Sequence, residues 1–65
     1  MKILTYEARQ AKNLTLQELS DRTGIGRTTL NNIETGHVSP TLNQLELIAK
    51  ALDTKITALF TSRYK

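Results

Sequence analysis

Apolar residues recur along this chain at spacings of three and four, and the pattern is sharpest between Leu14 and Gly36. Thr15 followed by Glu18 has the spacing of a capping box, in which the threonine side chain accepts from the Glu18 amide while Glu18 reaches back to the amide of Thr15. This predicts a helix starting at Leu16. The helix runs to about Thr23 and stops at Gly24, a residue that enters the left-handed region at no Cβ cost. Ile25-Gly26 leads into a second helix, Arg27 to Thr35, which Gly36 closes in the same way. Two short helices joined by three or four residues cross steeply, and the crossing needs one small residue where the backbones approach. Ser20, four before Gly24, is that residue, and Leu19, Ile25, Leu30 and Ile33 supply the apolar groups on the inner side.

Similar signals divide the rest of the chain. A first helix is expected from about Lys2 to Lys12, ending where Asn13 takes a left-handed cap position. After Gly36, His37-Val38-Ser39-Pro40 reads as a loop, and Thr41 with Gln44 repeats the capping-box spacing. The helix it starts is expected from Leu42 to Leu52, with Leu42, Leu45, Ile48, Ala49 and Leu52 on one half-buried face. Asp53 ends that helix in a left-handed conformation, which it tolerates better than most residues. Ile56, Leu59 and Phe60 form a short fifth helix with Thr54 as its alternative cap, Thr61 to Lys65 fray, and no strand is expected. The prediction is an all-α domain of five helices.

Composition narrows the function classes. Sixty-five residues make one domain, spanning 1–65, and a chain this short buries only about 60% of its unfolded surface. There is no cysteine, so no disulfide or thiolate zinc site adds stability, and helix packing or dimerisation has to supply it. The polar N-terminus is unlike a signal peptide, and no apolar run approaches membrane-spanning length; the expected location is cytoplasmic, with no membrane partner. Nine Lys or Arg against six Asp or Glu give +3, which permits a polyanion partner. More telling is where acids are missing: from Arg22 to Gln44 the only one is Glu34. No catalytic constellation is present. His37 is alone in a loop, Glu18 reads as a cap, and there is no glycine-rich phosphate loop. No enzyme activity, metal or cofactor is expected.

With those residues placed, the chain resembles the lambda-repressor-like helix-turn-helix family, the xenobiotic-response-element class of regulators. The resemblance is carried by Leu14-Thr15, Glu34-x-Gly36, Pro40-Thr41-Leu42 and Ala49-Lys50-Ala51-Leu52, and covers nearly the whole chain. It implies a compact five-helix DNA-binding domain with the helix-turn-helix at helices 2 and 3, and a structural ion pair between Arg9 and Glu34 tying helix 1 to the end of helix 3. The chain departs from the pattern at Thr5 and Ala8, where larger aliphatics are usual, so that Leu4 or Ile3 compensates by a shifted register. It departs again at Leu16, where many members carry a phosphate-binding glutamine, at Asp53, where glycine is common, and at Lys55, where a serine cap is favoured.

The second helix of such a motif lies in the major groove with its N-terminal side chains at base edges. The resemblance places Asn31 and Asn32 among the base readers and Arg27 at a position that reads bases or grips the adjoining phosphate, and Thr28 beside it is suited to a thymine methyl or a base edge. An arginine fork fits guanine O6 and N7, and asparagine can be bidentate to adenine. Phosphate is expected at the helix N-termini around Thr15 to Gln17 and Thr41 to Asn43, at Thr29 in a packing or phosphate role, and from Thr35, His37 and Ser39 in the loop. The implied function is a sequence-specific regulator of double-stranded DNA, a repressor or autoregulator acting as a homodimer, with exposed apolar groups near Leu59, Phe60 and Tyr64 as contact candidates. Two alternatives stay open. One is an antitoxin or restriction controller with a partner protein; the other is a protein-interaction module using the outward face of helix 3.

Overall fold

The computed structural model describes residues 1–65. A two-residue strand β1 (Lys2–Ile3) leads into α1 (Thr5–Ala11), α2 (Leu16–Thr23), α3 (Arg27–Thr35) and α4 (Leu42–Ala51), followed by a 3-10 helix (Ile56–Leu59) and strand β2 (Phe60–Thr61). The fold class is all-α, with two corrections to the expected five helices. The fifth is a single 3-10 turn. The first begins at Thr5 rather than Lys2, because Lys2 and Ile3 pair antiparallel with Thr61 and Phe60 in a ribbon. Thr61, expected in a frayed tail, is one of the two residues of β2, and the Leu4 amide extends the ribbon by donating to the Leu59 carbonyl at 2.7 Å.

The helix boundaries follow from local chemistry. Both capping boxes form, at Thr15/Glu18 and Thr41/Gln44. Helices α1, α3 and α4 end with one residue in the left-handed region and a pair of backbone bonds that use up the last carbonyls. After α1, Asn13 (φ 56°) donates to the Gln10 carbonyl and Leu14 to that of Arg9. After α3, Gly36 donates to Ile33 and His37 to Asn32; after α4, Asp53 (φ 51°) donates to Lys50 and Thr54 to Ala49. Asn and Asp are the non-glycine residues that accept this conformation most readily.

The core joins α2, α3, α4 and the 3-10 turn through Leu19, Leu30, Leu45, Ile48, Ala49, Leu52 and Leu59, with Ala8, Leu14, Ile25 and Phe60 packed around it. Two expectations of the periodic pattern fail here. Leu42, placed on the inner face of the fourth helix, is 75% exposed: it is the first helical residue after the Thr41 cap, and the buried stripe starts at Leu45. Leu59, expected among exposed groups at a dimer contact, is fully buried, whereas Phe60 is half-buried and Tyr64 exposed.

The expected shift of register does not occur: Thr5 itself is buried, whereas Ile3 and Leu4 are half-buried. The Thr5 hydroxyl has no hydrogen-bond partner, a condition that costs on the order of 1–3 kcal/mol. The aliphatic that usually fills this place carries no such cost.

Candidate nucleic-acid interface

The turn between α2 and α3 is held by side chains as much as by backbone. Gly24 sits at φ 75° and its amide donates to the Ser20 carbonyl. The Ser20 hydroxyl donates to the Ile25 carbonyl at 2.7 Å, while Thr23 Oγ1 donates to the Leu19 carbonyl at 2.8 Å and accepts from the Ile25 amide at 3.1 Å. Ser20 is therefore small and also a hydrogen-bonding strut. These bonds satisfy the polar groups of the turn and fix the angle at which α3 leaves it.

Behind α3 lies one internal ion pair. Arg9 Nε donates to Glu34 Oε2 at 2.7 Å and its Nη2 to Oε1 at 3.0 Å, while Nη1 donates to the Leu14 carbonyl at 2.8 Å. The two side chains are only 10% and 6% exposed. Hydrogen bonding to Glu34 raises the Arg9 pKa above its ordinary value against the opposing effect of burial, so the guanidinium stays charged. The pair ties α1 to the C-terminal end of α3 and withdraws Glu34 from the surface. No exposed carboxylate side chain remains between Arg22 and Gln44.

The outward row of α3 is then polar, and the exposed Asp21 carboxylate reaches it only through Gln17. Arg27, Thr28 and Asn31 are exposed and, with Leu16 of α2, line one shallow depression. The N-terminus of α3 has Gly26 as its cap and no side-chain capping bond, which leaves its first amides available to an outside partner. Arg27 Nη1 donates to Gln17 Oε1 at 3.1 Å, and Gln17 Nε2 donates to Asp21 Oδ1 at 2.8 Å. Gln17 thus holds the guanidinium over the start of α2, with most of the fork still free.

The other expected contacts divide by exposure. Asn32 and Thr29 are half-buried, so of the two asparagines Asn31 is the more accessible. Thr35, His37 and Ser39 are exposed in the final turn of α3 and the loop, where Thr35 Oγ1 lies 2.9 Å from the Asn31 carbonyl and 2.6 Å from His37 Nδ1. Thr15, Thr41 and Asn43 are exposed at the starts of α2 and α4, where the two threonine hydroxyls are engaged in their own capping boxes. No cluster of three His, Asp or Glu side chains suited to a metal ion occurs. No helix is long and apolar enough to cross a membrane.

Two helices crossing at a tight turn, the second presenting an exposed polar N-terminal row, define the class of helix-turn-helix DNA-binding domains. A family model described as helix-turn-helix matches residues 6–59. The chain belongs to the lambda-repressor-like helix-turn-helix family. A comparison with curated proteins finds no match.

Proposed function

We propose that this domain is a sequence-specific transcriptional regulator, a repressor or autoregulator, that inserts α3 into the major groove of an inverted-repeat operator as a twofold dimer. The observation that carries the reading is the exposed row Arg27, Thr28 and Asn31 at an uncapped helix end, on a helix whose one carboxylate is locked inside an ion pair. Arg27 reads guanine, Asn31 reads adenine or supports the neighbouring contact, and Thr28 meets a thymine methyl or a base edge. Asn32 contributes from its half-buried position at the edge of the row. Thr29, Thr35, His37, Ser39, Thr41 and Asn43 fix the register on the backbone, as do the free amides at the start of α2 beside Thr15 and Gln17.

Selection of bound sequences from a random duplex pool tests the reading directly. A twofold dimer selects a palindrome with half-site centres about 34 Å apart; a single unrepeated site removes the dimer and leaves the monomeric reader. On the selected site, Arg27→Ala and Asn31→Ala each cost roughly 1–3 kcal/mol and relax preference at one base pair per half-site, with random DNA much less affected. Arg27→Lys keeps charge but loses the planar fork, so discrimination falls while non-specific binding is retained. Uniform weakening across all DNAs in both alanine variants would remove Arg27 and Asn31 from the role of base readers.

A further inference from the structure

Every acidic side chain lies between Glu7 and Asp53, so the segments Met1–Tyr6 and Thr54–Lys65 carry Lys2, Lys55, Arg63 and Lys65 and no carboxylate side chain. The fold brings these segments together. Lys2 is paired with Thr61 across the ribbon, and Lys2, Thr61, Ser62, Arg63 and Tyr64 bound one shallow depression. On its other side β1 borders the loop that follows α3: Lys2 and Ile3 share a second depression with Thr35, Gly36 and Ser39. The carboxylate at the edge of that second depression, Glu34, is already neutralised by Arg9.

The cations of the ribbon differ in availability. Lys65 Nζ is committed to the Thr57 and Phe60 carbonyls at 2.7 and 2.9 Å, closing the end of the 3-10 turn. Lys2 and Arg63 are exposed, and Arg9–Glu34 is the one ion pair of the molecule. The Arg63 guanidinium lies 5.3 Å from the centre of the Tyr64 ring, an arrangement that steadies the fork without using its donors. Two unpaired cations, flanked by the Thr61 and Ser62 hydroxyls and contiguous with a loop expected on DNA, make a surface suited to a row of phosphates.

We propose that the β1–β2 ribbon is a second DNA contact, in which Lys2 and Arg63 extend the footprint of Thr35 to Ser39 along the phosphate backbone. The proposal rests on the DNA-binding reading above, and it adds affinity without adding sequence information, since phosphate is the same at every base pair.

The test is the salt dependence of binding to random duplex DNA and to the selected site. Each phosphate neutralised releases counterions worth a slope of about −0.9 in log K against log salt. The double variant K2Q/R63Q, with its fold checked by thermal melting, is compared with a matched control, K50Q/K55Q, which removes the same charge from α4 and from the lead-in to the 3-10 turn. The expected result is a slope shallower by about 1.8 per bound subunit, hence by about 3.6 for the twofold dimer, for the ribbon variant on both DNAs, with unchanged base preference and a slope change below about 0.5 for the control, by the same counterion relation. A ribbon variant whose slope matches the wild type overturns the proposal. So does an equal change in both doubles, which net charge alone explains. If the wild-type protein itself shows no salt-dependent DNA binding, the DNA reading has failed and the ribbon falls with it.

Discussion

Helices α2 and α4 begin in the same way and are equipped for different company. Thr15 and Thr41 have the same backbone conformation, φ −76° and −77° with ψ 163° in both. Each hydroxyl accepts from the amide three residues on, at 3.1 and 3.0 Å, and each partner side chain accepts from the cap amide at 2.9 Å. The difference is one atom pair: the returning group is the carboxylate of Glu18 in α2 and the carboxamide of Gln44 in α4. As devices for satisfying orphan amides the two boxes are equivalent. As anion sites they are not, because a phosphate approaching α2 meets a like charge already seated at the positive end of the helix, whereas at α4 it meets a neutral group. One capping motif can therefore start a helix and hold a backbone contact more weakly or more strongly, depending on a single charge, so that of the two helix-end phosphate contacts proposed above the one at α2 is the weaker.

The largest expected effect concerns the scaffold that carries both helix ends. Arg9→Ala leaves Glu34 buried and unpaired, which costs about 3–5 kcal/mol. Thermal denaturation should show a drop in Tm of more than about 10 °C for a domain this small. A loss under about 1 kcal/mol would mean that the pair holds nothing that packing does not already hold.

Next in size are the caps themselves. Thr15→Ala and Thr41→Ala should each lower stability by about 1 kcal/mol, equally if the boxes are equivalent. Affinity for random DNA should separate them: Thr41→Ala weakens all sequences by a similar factor, and Thr15→Ala does so less. Equal affinity losses in titrations at one salt concentration would erase the distinction between the two helix starts.

The smallest effect sharpens the comparison most. Glu18 has its pKa lowered, first by the hydrogen bond from the Thr15 amide and then by the Thr15 side chain. A depressed folded pKa means that this box contributes fully above the ordinary glutamate range and loses its contribution as pH falls through the lowered value. Gln44 does not titrate, so the α4 box is indifferent to acid. Glu18→Gln should abolish this part of the acid sensitivity in melts taken at descending pH. It should also raise affinity for random DNA by roughly two-fold, because a like charge has left the positive end of the helix. Lower affinity in the variant would show that Glu18 is not the repelling group.

How much of this was legible in the residues depended on the range of the signal. The limits of α2, α3 and α4 follow from Thr15, Gly24, Gly36 and Thr41, whose effects reach three or four residues along the same strand of chain. The ribbon was not legible, because two-residue strands at opposite ends carry no periodicity and pair only once the helices have placed them. Leu42 and Leu59 were misassigned for a related reason. A spacing of three and four marks a stripe but not where the stripe begins at a cap, and it does not apply to a 3-10 turn, which repeats every three residues. At the candidate interface Arg27 and Asn31, with Thr28 beside them, were named on the strength of the family resemblance, and all three are exposed. The bridge from Asp21 through Gln17 to Arg27 joins two helices and appears only when they are folded together.

The ribbon has a mechanical consequence. Because Lys2 faces Thr61 and Ile3 faces Phe60, tension applied between the two ends of the chain acts on the outermost pair first and peels the strands one pair at a time. The helices take no load until that fastening has opened. Resealing it requires closing a loop of almost the full chain, an entropy cost on the order of 3–4 kcal/mol for an unstructured loop, which the folded helices have already met by holding Leu4 beside Leu59. The ribbon is thus a weak clasp on a stiff body: it yields at low force, and it snaps back without the body having to refold.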